Sequence, residues 1–166
     1  NVKGIYAVGD GTGGILLAHM SSKEVTVAAQ NACCIKAKID YSTVPAAIFT
    51  SPEIGSVGLR EHQAEQKGIK VRTGHFQFRA LGKAHAMGEI SGFFKVVADH
   101  ETDKVLGVHI IGPHASDLVH EAALAIKSGL KAKDIADTIH AHPTLSEGLM
   151  EAAEDVHGEA VHTPKK

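Results

Sequence analysis

The sequence has 166 residues, 43 % of them apolar and 22 % charged, with a net charge of −2 and two cysteines. That length supports one domain, or one domain and part of another, around a sizeable core. The balanced charge gives no basic field for nucleic acid, no apolar run approaches the ~20 residues that span a bilayer, and the adjacent Cys33 and Cys34 form no disulfide framework. A reducing, cytoplasmic setting is the expectation. The chain opens without Met or a targeting signal, which reads as a piece of something longer.

In chain order, residues 4–8 predict a short buried strand and residues 14–34 a helix. Between them, Gly9, Gly11 and Gly14 spell G-x-G-x-x-G. In a dinucleotide fold such glycines bring backbone amides and a helix N-terminus up to a pyrophosphate. That fold should reach an acidic strand end ~20 residues on. Here the helix runs instead into the polar "KAKIDYSTVP". Two other readings stand: a tight turn without a ligand, or a loop where Asp10, beside a helix N-terminus, accepts a hydrogen bond from a ligand hydroxyl. Cys33 and Cys34 close the helix and read as buried thiols without a catalytic role. Pro45 ends the connector and sets a domain boundary near residue 40.

The second region mixes strands and helices. "AAIFT" is strand-like, and Leu59 to Gly68 reads as a helix stopped by its glycine. "KVRTGHFQF" alternates in part, with β-branched and aromatic residues. "GFFKVVAD" and "KVLGVHIIG" flank the polar "HETD" and predict an antiparallel hairpin. From Ala115, the residues Leu118, Ala122, Ile126 and Leu130, with Val119 and Ala123 beside them, form one helical face that ends at Gly129. One or two helical turns follow over 132–138. A last helix runs from about Leu145 to Val156. From residue 159 the chain reads as a loose tail. Strands first, then helices, with a hairpin: the fold class is α+β, a mainly antiparallel sheet packed by helices.

"HAHPTLSEGLMEA" carries the chemistry. Thr144 reads as a helix N-cap, which puts Glu147 at N3 and makes a capping box, a purely structural device. The same carboxylate could instead orient His142 as an acid/base, fixing its tautomer and stabilising the imidazolium. Pro143 restricts the backbone beside that ring. His140 lies two residues from His142, and His109, His114 and His120 are scattered. None of this has metal-ligand spacing, so no metal site is expected.

"GIYAVGD" followed by "LLAH", then "TSPEIGSVGL", "KVLGVHIIG" and "HAHPTLSEGLMEA", resembles the C-terminal part of the dihydrolipoamide dehydrogenase branch of the flavin- and disulfide-dependent pyridine nucleotide oxidoreductases. The resemblance runs to about Gly158. "HPTLSE", with Leu145, favours the lipoamide branch over a glutathione or mercuric reductase. It implies that residues 1–40 are the C-terminal remnant of an FAD-binding domain, that 41–158 form a dimerisation (interface) domain, and that 159–166 are tail. It implies that Asp10 accepts hydrogen bonds from the ribityl chain of FAD, with Leu17, Ala18 and His19 approaching the cofactor. It implies a homodimer in which His142, oriented by Glu147, takes a thiol proton from dihydrolipoamide beside a redox disulfide of the other subunit. Electrons would then pass through FAD to NAD⁺, and the substrate would ride on the lipoyl domain of a 2-oxoacid dehydrogenase or glycine cleavage complex. The setting implied is cytoplasmic, or the mitochondrial matrix in a eukaryote. Val25, Gly11 and Ile15 depart from the usual pattern around the flavin motif. A C-x-x-x-x-C pair does not occur in these residues, so this stretch holds an acid/base pair and one edge of a flavin site. The alternative from another class is a non-catalytic dimerisation module in which His142 and Glu147 serve only as a cap.

Overall fold

The computed structural model describes residues 2–163 and divides into two compact units at Val44 and Pro45. The first unit holds a 3-10 turn, Gly9–Thr12, the helix α1, Ala18–Ala32, and a second short 3-10 turn, Tyr41–Thr43. The strand expected over residues 4–8 does not form, and Ile5, Tyr6 and Val8 are exposed. A strand needs a hydrogen-bonded neighbour, and no other strand lies within the described part of this unit. The helix begins four residues later than the apolar run suggests. Gly13 and Gly14 take φ of +75° and +80°, which a right-handed helix cannot contain.

Two polar side chains hold this unit. Buried Glu24 on α1 accepts the Gly9 amide on Oε2 (2.7 Å) and the Tyr41 hydroxyl on Oε1 (3.3 Å). Asn31 closes the other end of α1, donating to the Val27 and Ala37 carbonyls and accepting the Ala37 amide. Cys33 and Cys34 are exposed, not buried as their helical setting suggests, because the helix ends beneath them.

The second unit is built on five strands: β1, Ala46–Ile48; β2, Ile54–Gly58; β3, Val71–Gln77; β4, Phe93–Asp99; β5, Val105–Ile111. They form one sheet in the order β1-β2-β5-β4-β3, every neighbouring pair antiparallel. The hairpin expected between β4 and β5 is there. Its turn is tied by Asp99, whose Oδ1 accepts the amides of Glu101 and Thr102 and the Thr102 hydroxyl. Paired residues share a face. The pairs Phe76–Phe94, Phe94–Ile110, Val96–Val108 and Val57–Val108 form the inner one, and all of them are buried.

The helices are α2, Glu61–Gln66; α3, Gly82–Met87; α4, Ala115–Ser128; α5, Ala132–Ala136; and α6, Glu147–Asp155. α4 and α6 cover that face, while Glu61 of α2 bonds Lys95 of β4, whose side chain alternates onto the opposite one. Glycines set how closely α4 and α6 approach. A Cβ on Gly55 of β2 would lie 2.2 Å from the Ala115 carbonyl oxygen of α4, and one on Gly74 of β3 2.0 Å from the Ala152 carbonyl oxygen of α6. The buried stripe of α4 is accordingly small: Ala115, Val119, Ala122 and Ala125. Of the expected apolar face, Val119 and Ala122 are buried and Leu118, Ala123 and Ile126 pack against the core as partly buried side chains, while Leu130 is exposed and Leu124 stays 66 % exposed. The start of α4 is capped from β2's side of the fold: Glu53 Oε2 accepts both the amide (3.0 Å) and the hydroxyl (2.7 Å) of Ser116. β2 and α3 are absent from the sequence reading. β2 carries Ile and Val between glycines and a serine, and α3 has only six residues.

The last helix buries Leu149, Ala152 and Ala153 against β3 and β4. The tail expected to be loose is held as far as His162. Ala160 is buried, and Glu151 of α6 accepts the amides of Val161 (3.0 Å) and His162 (3.2 Å) and bonds the His162 ring. Residues 164–166 of that tail lie outside the described residues.

Candidate active site

The segment from Asp137 to Ser146 joins α5 to α6, and both partners of the expected acid/base pair lie on it or at its end. Buried Leu145 anchors the segment to the core, and Glu147 is the first residue of α6. The His142–Pro143 peptide is cis. His142 Nδ1 lies 2.8 Å from Glu147 Oε1. An ionised carboxylate only accepts, so Nδ1 carries the proton and the neutral ring keeps its lone pair on Nε2. The His142 side chain is 75 % exposed and that of Glu147 17 %. The ring therefore stands on an inward-turned carboxylate with Nε2 toward solvent.

The capping box and the His142 contact coexist. Glu147 Oε2 accepts the Thr144 amide (2.8 Å) while Oε1 takes His142. The box is half-formed: α6 starts after Ser146 rather than Thr144, and the Thr144 hydroxyl donates back to the Ala141 carbonyl (2.7 Å). Burial pushes the Glu147 carboxyl up, but the Thr144 amide, the His142 ring and the charge on nearby histidines hold it below its ordinary value. Its place in the first turn of a helix favours the same ionised state. A group acting through Nε2 can thus accept a proton and have the resulting imidazolium stabilised from behind.

A second His–Glu pair stands next to the first. His140 Nε2 lies 3.0 Å from Glu121 Oε1 on α4, and its Nδ1 2.8 Å from the Thr138 carbonyl. Its side chain is 5 % exposed. The motif displays His140 in sequence, but Glu121 is 19 residues upstream on another helix, so no local spacing marks the pair. The other histidines considered for metal are engaged separately: His109 with Ser56 and the Leu59 carbonyl, His114 with Asp117, and His120 with the Asp117 carbonyl.

In the first unit, Asp10 is exposed within the 3-10 turn, Leu17 is the half-buried N-cap of α1, and exposed Ala18 and His19 open the helix. The amides of Ala18, His19 and Met20 precede the first intrahelical bond, from the Ser21 amide to the Leu17 carbonyl. A Cβ added at Gly11, Gly13 or Gly14 would meet nothing within 4 Å. An acceptor carboxylate, donor amides and open backbone lie together there. The sequence reading did not single out Glu24, which ties this turn to α1 through the Gly9 amide.

The family described as pyridine nucleotide-disulphide oxidoreductase, dimerisation domain, matches residues 44–153. Dihydrolipoyl dehydrogenase 3 of Haloarcula marismortui is 48 % identical over 162 residues, 98 % of this chain and 34 % of that protein. The dihydrolipoyl dehydrogenase of Halobacterium salinarum is 50 % identical over 163 residues, with the same coverage. The crystal structure of LpdA from Mycobacterium tuberculosis superimposes with a TM-score of 0.84 at 30 % identity, covering 90 % of this chain and 33 % of that one. The chain spans about a third of the length of these relatives. An antiparallel five-stranded sheet under α4 and α6 and a family match across it give one conclusion: the chain belongs to the pyridine nucleotide-disulphide oxidoreductases and carries their dimerisation domain.

Proposed function

We propose that this chain works as the C-terminal third of an NAD⁺-dependent dihydrolipoamide dehydrogenase, where His142 and Glu147 are its acid/base pair. The observation that carries the reading is the 2.8 Å contact of His142 Nδ1 with Glu147 Oε1, on a ring whose side chain is 75 % exposed. Curated relatives with that activity in their names match nearly the whole chain.

The chemistry follows from the pair. A thiol of dihydrolipoamide gives its proton to His142 Nε2, and Glu147 stabilises the imidazolium. The thiolate is the competent nucleophile. It attacks one sulfur of a redox disulfide, forming a mixed disulfide and releasing the other sulfur as thiolate. That disulfide is supplied outside these residues. Leu124 and Ile139, 66 % and 97 % exposed, are apolar surface for a partner to cover. In a homodimer His142 would serve the neighbour's disulfide, and the substrate arm would come from a lipoyl domain. FAD, when bound in the parent enzyme, supplies the relay of electrons to NAD⁺. Asp10, Leu17, Ala18 and His19 fit one edge of it: the carboxylate can accept from the ribityl hydroxyls and the helix amides can donate. Among the described residues no helix is long and apolar enough to cross a membrane. A cytoplasmic or matrix setting fits the reading.

The test is His142→Gln in the full-length flavoenzyme. Turnover of dihydrolipoamide should fall about 10²–10⁴-fold, with the flavin spectrum retained. Unchanged turnover with lowered thermal stability would support a structural cap instead.

A further inference from the structure

Between Asp137 and Pro143 the chain is exposed at every residue but one. Ile139, 97 % exposed, and His142, whose side chain is 75 % exposed, flank a single inward side chain, His140. Both of its ring nitrogens meet acceptors: the Glu121 carboxylate at 3.0 Å and the Thr138 carbonyl at 2.8 Å. Neutral imidazole has one N–H and can satisfy only one of them; imidazolium satisfies both. We propose that His140 is a positioning residue for the His142–Glu147 pair, an imidazolium that pins the catalytic segment to α4 through Glu121 and sets a fixed positive charge beside Glu147. This inference rests on the proposed acid/base role of His142.

The surroundings of the ring support it. The contact with Glu121 ties the segment to α4, while the bonds at Thr138 and Thr144 run only to its neighbouring turns. The charged groups that act on His140 are Glu121 from α4 and Glu147 from α6, both acidic. Hydrogen bonding to Glu121, opposed by burial and helped by Thr138, raises the affinity of the ring for its proton. The coupling is mutual: the His140 charge helps keep Glu147 ionised. The order Glu121, His140, Glu147, His142 alternates acid and base, so each group supports the charge state the next one needs.

The experiment measures kcat/KM for dihydrolipoamide against pH in the full-length flavoenzyme, for wild type, His140→Gln and Glu121→Gln. Removing a positive charge beside the pair should move the acid limb to higher pH. Loss of the pin should lower kcat/KM at neutral pH roughly tenfold. Glu121→Gln keeps the shape of its side chain and should move the limb in the same direction by less. A role limited to folding would lower thermal stability without moving the limb, and that result overturns the proposal. So does a limb unmoved in Glu121→Gln if His140→Gln fails to fold. His142→Gln in the same series separates the two readings. If it keeps turnover, the acid/base assignment fails; if it loses turnover while His140→Gln matches wild type across the pH range, only the positioning role fails.

Discussion

Gly74 decides how closely α6 lies on β3, and through α6 it decides where Glu147 sits. A Cβ at this position would stand 2.0 Å from the Ala152 carbonyl oxygen and 2.6 Å from the Val156 amide nitrogen. Both are backbone atoms and cannot rotate away. Ordinary contact begins near 3.4 Å, so Gly74→Ala must displace the helix by about 1 Å or bend the strand. Overpacking of this kind costs about 1–3 kcal/mol. Glu147 opens the same helix and its carboxylate holds His142. A displacement near 1 Å at a catalytic group costs up to about 10²-fold in rate. Calorimetry and steady-state turnover of the full-length enzyme measure the two effects together, and both should appear: a Tm lower by several degrees and at least a severalfold loss of kcat. Gly82→Ala is the control. Gly82 opens α3 with nothing within 4 Å of a new Cβ, so alanine should be neutral or stabilising by up to about 1 kcal/mol. If Gly74→Ala matches wild type in Tm and rate, the close packing of α6 on β3 is wrong.

Glu151→Ala should free the tail. It leaves the Val161 and His162 amides without their acceptor, at a cost of about 1–3 kcal/mol, and proteolysis should then clip residues 159–163 first; equal clipping of wild type would contradict the tie. Acid should weaken the fold in part through Glu53. The Ser116 hydroxyl and amide hold its carboxyl below the ordinary value, so its folded pKa lies under its unfolded one. Its contribution is then complete above the unfolded value and is lost as pH falls through the folded value. Glu53→Gln should flatten that part of a Tm-versus-pH curve in acid; an unchanged slope would remove Glu53 from the account. Sedimentation of the chain at micromolar concentration should show a dimer, and a purely monomeric boundary would count against a partner over Leu124 and Ile139.

Patterns of local period were legible in the sequence; packing distances were not. The β4–β5 hairpin is announced by two apolar runs around "HETD", and the α4 and α6 periods are plain. The apolar face of α4 was anticipated through Val119 and Ala122, but period alone does not say that Gly55 brings Ala115 and Val119 closest to the sheet and leaves Leu118 and Ile126 only partly buried. The strand over residues 4–8 reads well from its apolar run but lacks a neighbour within its unit, and strand formation is a property of pairs. In the site, His142 and Glu147 are five residues apart and share a motif, so their meeting could be anticipated. That Glu147 serves both His142 and the Thr144 amide needed coordinates, because one carboxylate has two oxygens and the sequence does not say which faces where. Glu121 and Glu24 act over 19 and 15 positions, beyond any local spacing rule.

The central claim is that His142 of one chain acts on sulfur held by another. Hybrid full-length dimers test it directly. One subunit would carry His142→Gln with its redox disulfide intact, and the other would keep His142 but have the disulfide cysteines replaced by serine. The account gives one complete site per hybrid, and turnover at roughly half the wild-type rate. Hybrids with no more activity than either homodimeric variant would contradict it.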